Sequence, residues 1–424
     1  MELAILITFI LGYLAIAFEH KININKAASA LLTGTICWTI YILHSSDKEM
    51  VSHQLMEHLG GVSGILFFLM GAMTIVELID AHDGFQIITD RIKTRNPVKL
   101  LWIIGILTFF LSAVLDNLTT TIVVVSLLRK IIADKNMRLF FVGITVIAAN
   151  AGGAWSPMGD VTTTMLWIGG QVTASGIIGE VFLASVFCLI IPLLFLSFRL
   201  KGTLTPTVPS TLKVNSTPFE RNAVFGIGLG ALLFVPIFKT FTHLPPFMAI
   251  LFGLGSMWVL TELIHSEKDT ADKDSLSVAH ALRKIDTPSI LFFLGILISI
   301  AALESTGQLK HLAGWLTQTL GSEAVIVTSI GLLSAVVDNV PLVAAAQGMY
   351  SLSEFPTDGF FWSFLAYATG TGGSVLIIGS AAGVAAMGME KIDFFWYLKR
   401  IALLALLGYF SGCLIFILQF NLMH

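Results

Sequence analysis

Two short blocks set the architecture open to this chain. Ser112-Ala113-Val114-Leu115-Asp116-Asn117 lies inside a long apolar segment, and Ser334-Ala335-Val336-Val337-Asp338-Asn339 repeats it 222 residues later in similar surroundings. A carboxylate held at bilayer depth is costly and marks a functional site. The same carboxylate in two matching segments describes a transporter built from two related halves.

Composition places the whole chain in a membrane. Of 424 residues, 55% are hydrophobic and 12% charged, with a mean hydropathy of +0.86. Many apolar runs reach the ~20 residues that a helix needs to cross a bilayer. The expected fold is an all-α polytopic membrane protein with about ten transmembrane crossings, two re-entrant hairpins and two broken helices. No soluble domain is left over, so an enzyme is not expected. Met1 to Phe18 is read as a retained first span, because Glu2 stands where a signal peptide needs positive charge. Cys37, Cys188 and Cys413 lie far apart in apolar segments, which fits neither a metal site nor a disulfide framework. With a net charge of -3 and no block of Lys and Arg, nucleic acid is not an expected partner.

Basic residues gather in loops expected on the cytoplasmic side. These are Arg91, Lys93, Arg95 and Lys99; Arg129, Lys130, Lys135 and Arg138; Arg199, Lys201, Lys213 and Arg221; and Lys391, Lys399 and Arg400, joined by Lys21 and Lys26. The acidic stretch from Asp47 to Glu57 and the N-terminus then face outside. Between Lys99 and Arg129 about thirty residues remain for a round trip, fewer than the ~40 of two full crossings. A re-entrant hairpin, or a helix followed by a short arm, with Asp116-Asn117 near its turn, satisfies that length. Non-helical backbone at this depth must be buried in protein or line water. The next crossing, Arg138 to about Gly176, is interrupted by Asn150-Ala151-Gly152-Gly153-Ala154-Trp155-Ser156-Pro157-Met158-Gly159-Asp160, rich in helix breakers.

The second half repeats the plan. Ile65 to Leu69 returns as Ile290 to Leu294, the hairpin block returns at 334, and the broken element returns as Thr369 to Ser380, at offsets of 225, 222 and 220. Three blocks in one order make an internal repeat. Five crossings separate the first copy from the second, so the second is inverted. The expected division is a first repeat at 1–200, a cytoplasmic linker at 201–220 and a second repeat at 221–424. Asp80 to Asn96 and Glu304 to Leu320 read as amphipathic connectors, and 265–286 reads as a charged loop.

Two broken helices and two hairpin tips meeting at the midplane would surround an ion with half-helix ends and short polar side chains. The candidate ion- and proton-binding residues are Ser112, Asp116, Asn117, Asn150, Asp160, Thr162, Thr163, Ser334, Asp338, Asn339, Thr371 and Ser374, with Asp116 and Asp160 as the Na⁺ carboxylates and Glu77 on a candidate proton pathway. Asp160 aligns with Ser380 and Asn150 with Gly370, which puts the cation nearer the first half. Carboxylate, hydroxyl and amide oxygens suit a hard monovalent cation. Burial disfavours the charged form of a carboxyl and brings proton and metal binding into one pH range. Competition for one carboxylate is sufficient for exchange. Capping of helix and hairpin ends by Asp116, Asp160 and Asp338 is the alternative reading of all three. His82 beside Asp83 is a candidate pH sensor.

The stretches SAVLDNLTTT (112–121) and NAGGAWSPMGDVTTT (150–164), with the second Asp-Asn hairpin, resemble the NhaD-type sodium/proton antiporters of the ion transporter superfamily. The resemblance covers essentially the whole chain. It implies Na⁺ or Li⁺ efflux against proton entry, pH homeostasis at the cell (inner) membrane, no cofactor beyond the transported ions, and a homodimer whose scaffold supports a moving transport domain. Dicarboxylate symporters of the same superfamily carry Ser-Asn-Thr at their hairpin tips. A sodium-coupled anion or dicarboxylate symporter is the alternative, and Asp at both tips of this chain disfavours it.

Overall fold

The structure, a computed structural model, describes residues 1–89, 92, 94–200, 217–265 and 275–423. Most of the 201–220 linker, residues 266–274 of the 265–286 loop, and Arg91, Lys93, Lys201 and Lys213 lie outside the described residues, as does the side chain of Lys21. The described residues are helical, with no strand among them. Nine of the described helices are long and apolar enough to cross a membrane, or up to ten if one bent pair counts as a span.

The first helices are α1 (Glu2–Ala17), α2 (Glu19–Ile22), α3 (Lys26–His44), α4 (Lys48–Ala81) and α5 (Gln86–Thr89). At 16 residues α1 is shorter than a full span. In contrast α4 runs 34 residues, and the acidic stretch expected outside forms its first turns. Asp47 starts it by accepting the Met50 N–H at 2.9 Å, which satisfies a donor that a helix end leaves free.

The first hairpin follows as α6 (Pro97–Leu115) and α7 (Asn117–Ile131), of 19 and 15 residues, with Asp116 alone as the break. The first broken element is α8 (Lys135–Ala154) and α9 (Val161–Ile168), and α10 (Ala174–Arg199) closes the first half. The second half contains α11 (Pro218–Thr242), α12 (Pro246–Ile264), α13 (Val278–Lys284), α14 (Thr287–Ser305) and α15 (Gln308–Leu320). The seven residues of α13 are helical where a loop was expected. The second hairpin is α16 (Glu323–Leu333) and α17 (Asn339–Met349), and the second broken element is α18 (Phe360–Gly372) and α19 (Ala381–Glu390). Short α20 (Phe394–Arg400) and long α21 (Ala402–Met423) end the described chain. A bend of 115° separates α15 from α16, so α15 is a connector set across the hairpin arm.

The breaks in the two interrupted helices begin later than the glycines suggest. Asn150, Gly152 and Gly153 are still helical, and residues 155–160 form the first break; Gly372 ends α18, and the second break is 373–380. The glycines serve close approach instead. A Cβ on Gly152 would lie 2.1 Å from the Phe109 carbonyl oxygen, and one on Gly372 would lie 1.9 Å from the Gly331 carbonyl oxygen. Each broken helix therefore presses its backbone against the first arm of its hairpin. The serines at 112 and 334 reinforce those contacts, donating to the carbonyls of Ala149 (2.6 Å) and Thr369 (3.2 Å) respectively. Around this buried centre α10 packs on α21, α3 on α14, and α4 on both α12 and α14.

Candidate functional site

Asp160 is the last residue of the first break, and its carboxylate caps α9. Oδ1 accepts the Thr162 N–H and the Thr162 hydroxyl, each at 3.0 Å. Negative charge at a helix N-terminus is stabilised by the free N–H groups and the helix dipole. The rest of the carboxylate faces both hairpins. Asn117 Nδ2 donates to Oδ2 at 2.6 Å, and Asn339 Nδ2 reaches Oδ2 at 3.3 Å and Oδ1 at 3.4 Å. Asp160 is 2% exposed, and Asn117 and Asn339 are buried with it.

Asn150, fully buried in the last turns of α8, extends the network. Its Oδ1 accepts from Asn117 at 3.0 Å, and its Nδ2 donates to Ser374 and Ser380 at 2.9 Å each. One continuous set of hydrogen bonds thus joins the first hairpin, the second hairpin and both interrupted helices. It contains Asn117, Asn150, Asp160, Thr162, Asn339 and Ser374 from the sequence-predicted set.

Other predicted residues stand beside that network. Thr163 and Thr371 donate to the carbonyls of Asp160 and Tyr367, at 2.9 and 2.7 Å, and Ser112 and Ser334 fasten the hairpins. Asp116 caps α7, accepting the Thr119 N–H and hydroxyl at 2.8 Å each. Its backbone has φ 84° and ψ 159°, a region normally left to glycine and costing about 1–3 kcal/mol. The fold holds that strain at the hairpin tip. Asp338 caps α17 through the Val340 N–H at 3.3 Å and pairs with Lys26 Nζ at 3.7 Å.

A cavity of about 470 Å³ opens beside the first tip, with Thr119, Leu118, Lys26, Glu19, Glu77 and Asp80 in its wall. Glu77 sits there with Lys284 Nζ at 3.5 Å. A separate space of about 20 Å³ touches Asp116, Val161 and Thr164, room for one water-sized occupant. Met73 lines both. A cavity of about 250 Å³ lies between Glu57, His58, Glu304 and Gln347. On α4 the first cavity is lined between Met73 and Asp80 and the last between Glu57 and Ile65, so about 12 Å of that helix separates them.

Sequence reasoning missed two charged groupings. Lys26 is on the first turn of α3, and nothing local ties it to residue 338. Glu390, 3% exposed, accepts from Arg129 Nε at 2.6 Å and Arg138 Nε at 3.1 Å, tying α7 and α8 to the end of α19. His82 is buried and stacks on His265 with ring centroids 5.1 Å apart.

A family model described as citrate transporter matches residues 4–372. Sodium/proton antiporter 1 of Arabidopsis thaliana is 47% identical over 99% of this chain and 73% of its own length. The chain belongs to the NhaD-type Na⁺/H⁺ antiporter family. The Na(+)/H(+) antiporter NhaD of Vibrio cholerae serotype O1 is 29% identical over 96% of this chain and 89% of its own. For the NhaD-type fold, a solved structure of the Alcanivorax borkumensis YdaH transporter superposes with a TM-score of 0.60, covering 90% of each chain at 11% identity. This NhaD-type chain is a multi-pass membrane protein, and its relatives are named as transporters, not enzymes.

Proposed function

We propose that this protein is a secondary active antiporter of the cytoplasmic membrane that exports Na⁺, or Li⁺, in exchange for protons by alternating access. The observation that carries the reading is the Asp160 carboxylate, gripped at once by Asn117 and Asn339 from opposite hairpins. Both amides now point N–H groups at Asp160. A bound Na⁺ would require amide oxygens turned inward, and a carboxyl proton would require an acceptor where one amide now donates, so either ion disturbs the hairpin tips, and only one fits at a time. Asn150 and Thr162 would complete the oxygen set, and Asp116 would hold the cation on its way through the space below Met73.

The cavities at two separate levels of α4 support access from both sides. The larger, with Lys284 in its wall, lies toward the basic loops and would face the cytoplasm. Matched contacts of Gly152 with Phe109 and of Gly372 with Gly331 support two inverted repeats, 1–200 and 221–424, joined by the 201–220 linker. A homodimer would give the moving parts a fixed scaffold.

The family model's description favours a second reading, uptake of citrate or of a dicarboxylate, which would be coupled to sodium. The Asp116 carboxylate at the first tip, which has no ion-pair partner among the described residues, would repel such a substrate. Proteoliposomes loaded with a pH-sensitive dye separate the two: Na⁺ and Li⁺ should move protons in wild type and not in Asp160→Asn. Proton movement that survives in well-folded Asp160→Asn defeats the proposal, and citrate- or succinate-dependent sodium uptake without cation-driven proton flux selects the symporter.

A further inference from the structure

The two hairpin carboxylates are balanced differently. Asp116 is held by Thr119, and no basic side chain forms an ion pair with it among the described residues. Asp338 has the Lys26 ammonium 3.7 Å away, and that ammonium also rests 4.4 Å above the centre of the Phe292 ring. A cation between a carboxylate and an aromatic face is held by two attractions at once.

Lys26 is also fixed in place by its helix. It opens α3, its backbone N–H donates to Glu19 Oε1 at 3.1 Å, and α3 is tied to α14, the helix of Phe292, by Trp38 Nε1 donating to the Ile298 carbonyl at 2.8 Å. The matching helix α12 has the same length of 19 residues and starts 220 positions later, with Pro246 where α3 has Lys26. The charge is present on one side only.

We infer that Lys26 is a tethered cation occupying Asp338, a specificity-determining residue that restricts each protomer to a single sodium site at Asp116 and Asp160. A lysine attached to the wall of the site acts at a high effective concentration and cannot diffuse away. It neutralises the carboxylate that would otherwise make the second hairpin a copy of the first. Neutralised, Asp338 offers no net charge to a second Na⁺, and Asn339 is left free to serve Asp160. The inference rests on the sodium/proton reading above.

Equilibrium binding of sodium-22 to the purified full chain tests it. Wild type and Lys26→Arg should bind one Na⁺ per protomer, Lys26→Gln should bind two, and Lys26→Gln combined with Asp338→Asn should return to one with affinity within about threefold of wild type. Two Na⁺ per wild-type protomer, one per Lys26→Gln protomer, or loss of Na⁺ from the folded double variant would each overturn the inference. If Lys26→Gln fails to fold, Lys26→Met takes its place: two Na⁺ per protomer are expected, and one would overturn the inference. A folded wild type that binds no Na⁺ would instead refute the sodium reading on which the inference stands.

Discussion

Asn117 donates its side-chain amide to Asp160 at 2.6 Å, which makes the first hairpin and the first interrupted helix share one buried charge. Asn117→Ala removes that donor and the bond to Asn150 together. It also removes the amide oxygen proposed to turn toward bound Na⁺, a contact to a charged group of about 1.5–3 kcal/mol, so the apparent Na⁺ affinity in the exchange assay should fall, by up to roughly a hundredfold. Unchanged half-saturation by Na⁺ would remove Asn117 from the site.

Asp116 combines a cap with a strained backbone, and glycine separates the two. Asp116→Gly relieves about 1–3 kcal/mol of strain and gives up a cap of about 1 kcal/mol. The thermal midpoint in detergent should therefore stay level or rise while sodium-driven exchange is lost. A fall of many degrees with transport retained would mean that Asp116 is only a structural cap.

Much of this arrangement is written in local sequence. The Asp-Asn blocks sit at the hairpin tips because an Asp before a helix satisfies its first N–H groups wherever the chain turns. The interrupted helices are visible in their glycines and, in the first, Pro157, yet the breaks start at Trp155 and Gly373, not at Asn150 and Thr369. Gly152 and Gly372 are tolerated inside helices because the neighbouring hairpin backbone occupies the space of a Cβ, a cause that lies in tertiary packing. The pairs Lys26 with Asp338 and Arg138 with Glu390 join residues more than 250 positions apart, and no periodicity carries that information.

The close helix contacts predict their own disruption. Gly152→Ala must push α8 off the Phe109 carbonyl, an overpacking cost of about 1–3 kcal/mol, and Gly372→Ala must do the same to Gly331. Both should lower the thermal midpoint and weaken transport together, since the displaced backbone carries Asn150 or Ser374. Gly60→Ala, where a Cβ would meet nothing within 4 Å, should behave as wild type in the same melts.

Glu390 offers a test of the charged clamp at the far end of α7. Its side chain is 2% exposed between Arg129 and Arg138, themselves 46% and 15% exposed. Glu390→Gln leaves two guanidinium groups without their counter-charge, the more buried one at greater cost, for a destabilisation of up to about 3 kcal/mol. The midpoint of thermal unfolding should drop while the Na⁺ dependence of the remaining folded protein is unchanged. A shifted Na⁺ dependence would place Glu390 in the transport path.

If sodium and protons compete at Asp160 as proposed, that competition fixes how pH and sodium trade against each other. Thr162, Asn117 and Asn339 donate to that carboxylate, and the proposed Na⁺ would bind its deprotonated form. Raising Na⁺ therefore draws the equilibrium toward the deprotonated site, so a lower pH is needed to displace the ion. The pH at which bound Na⁺ is half displaced should move down as Na⁺ rises. Mass action sets the slope at about one pH unit per tenfold Na⁺ if one proton replaces one ion, and about half a unit if two do. Sodium-22 displacement from the purified protein across a pH series measures it. A midpoint independent of Na⁺ would mean that the two ions do not share a site, and the exchange would need separate paths.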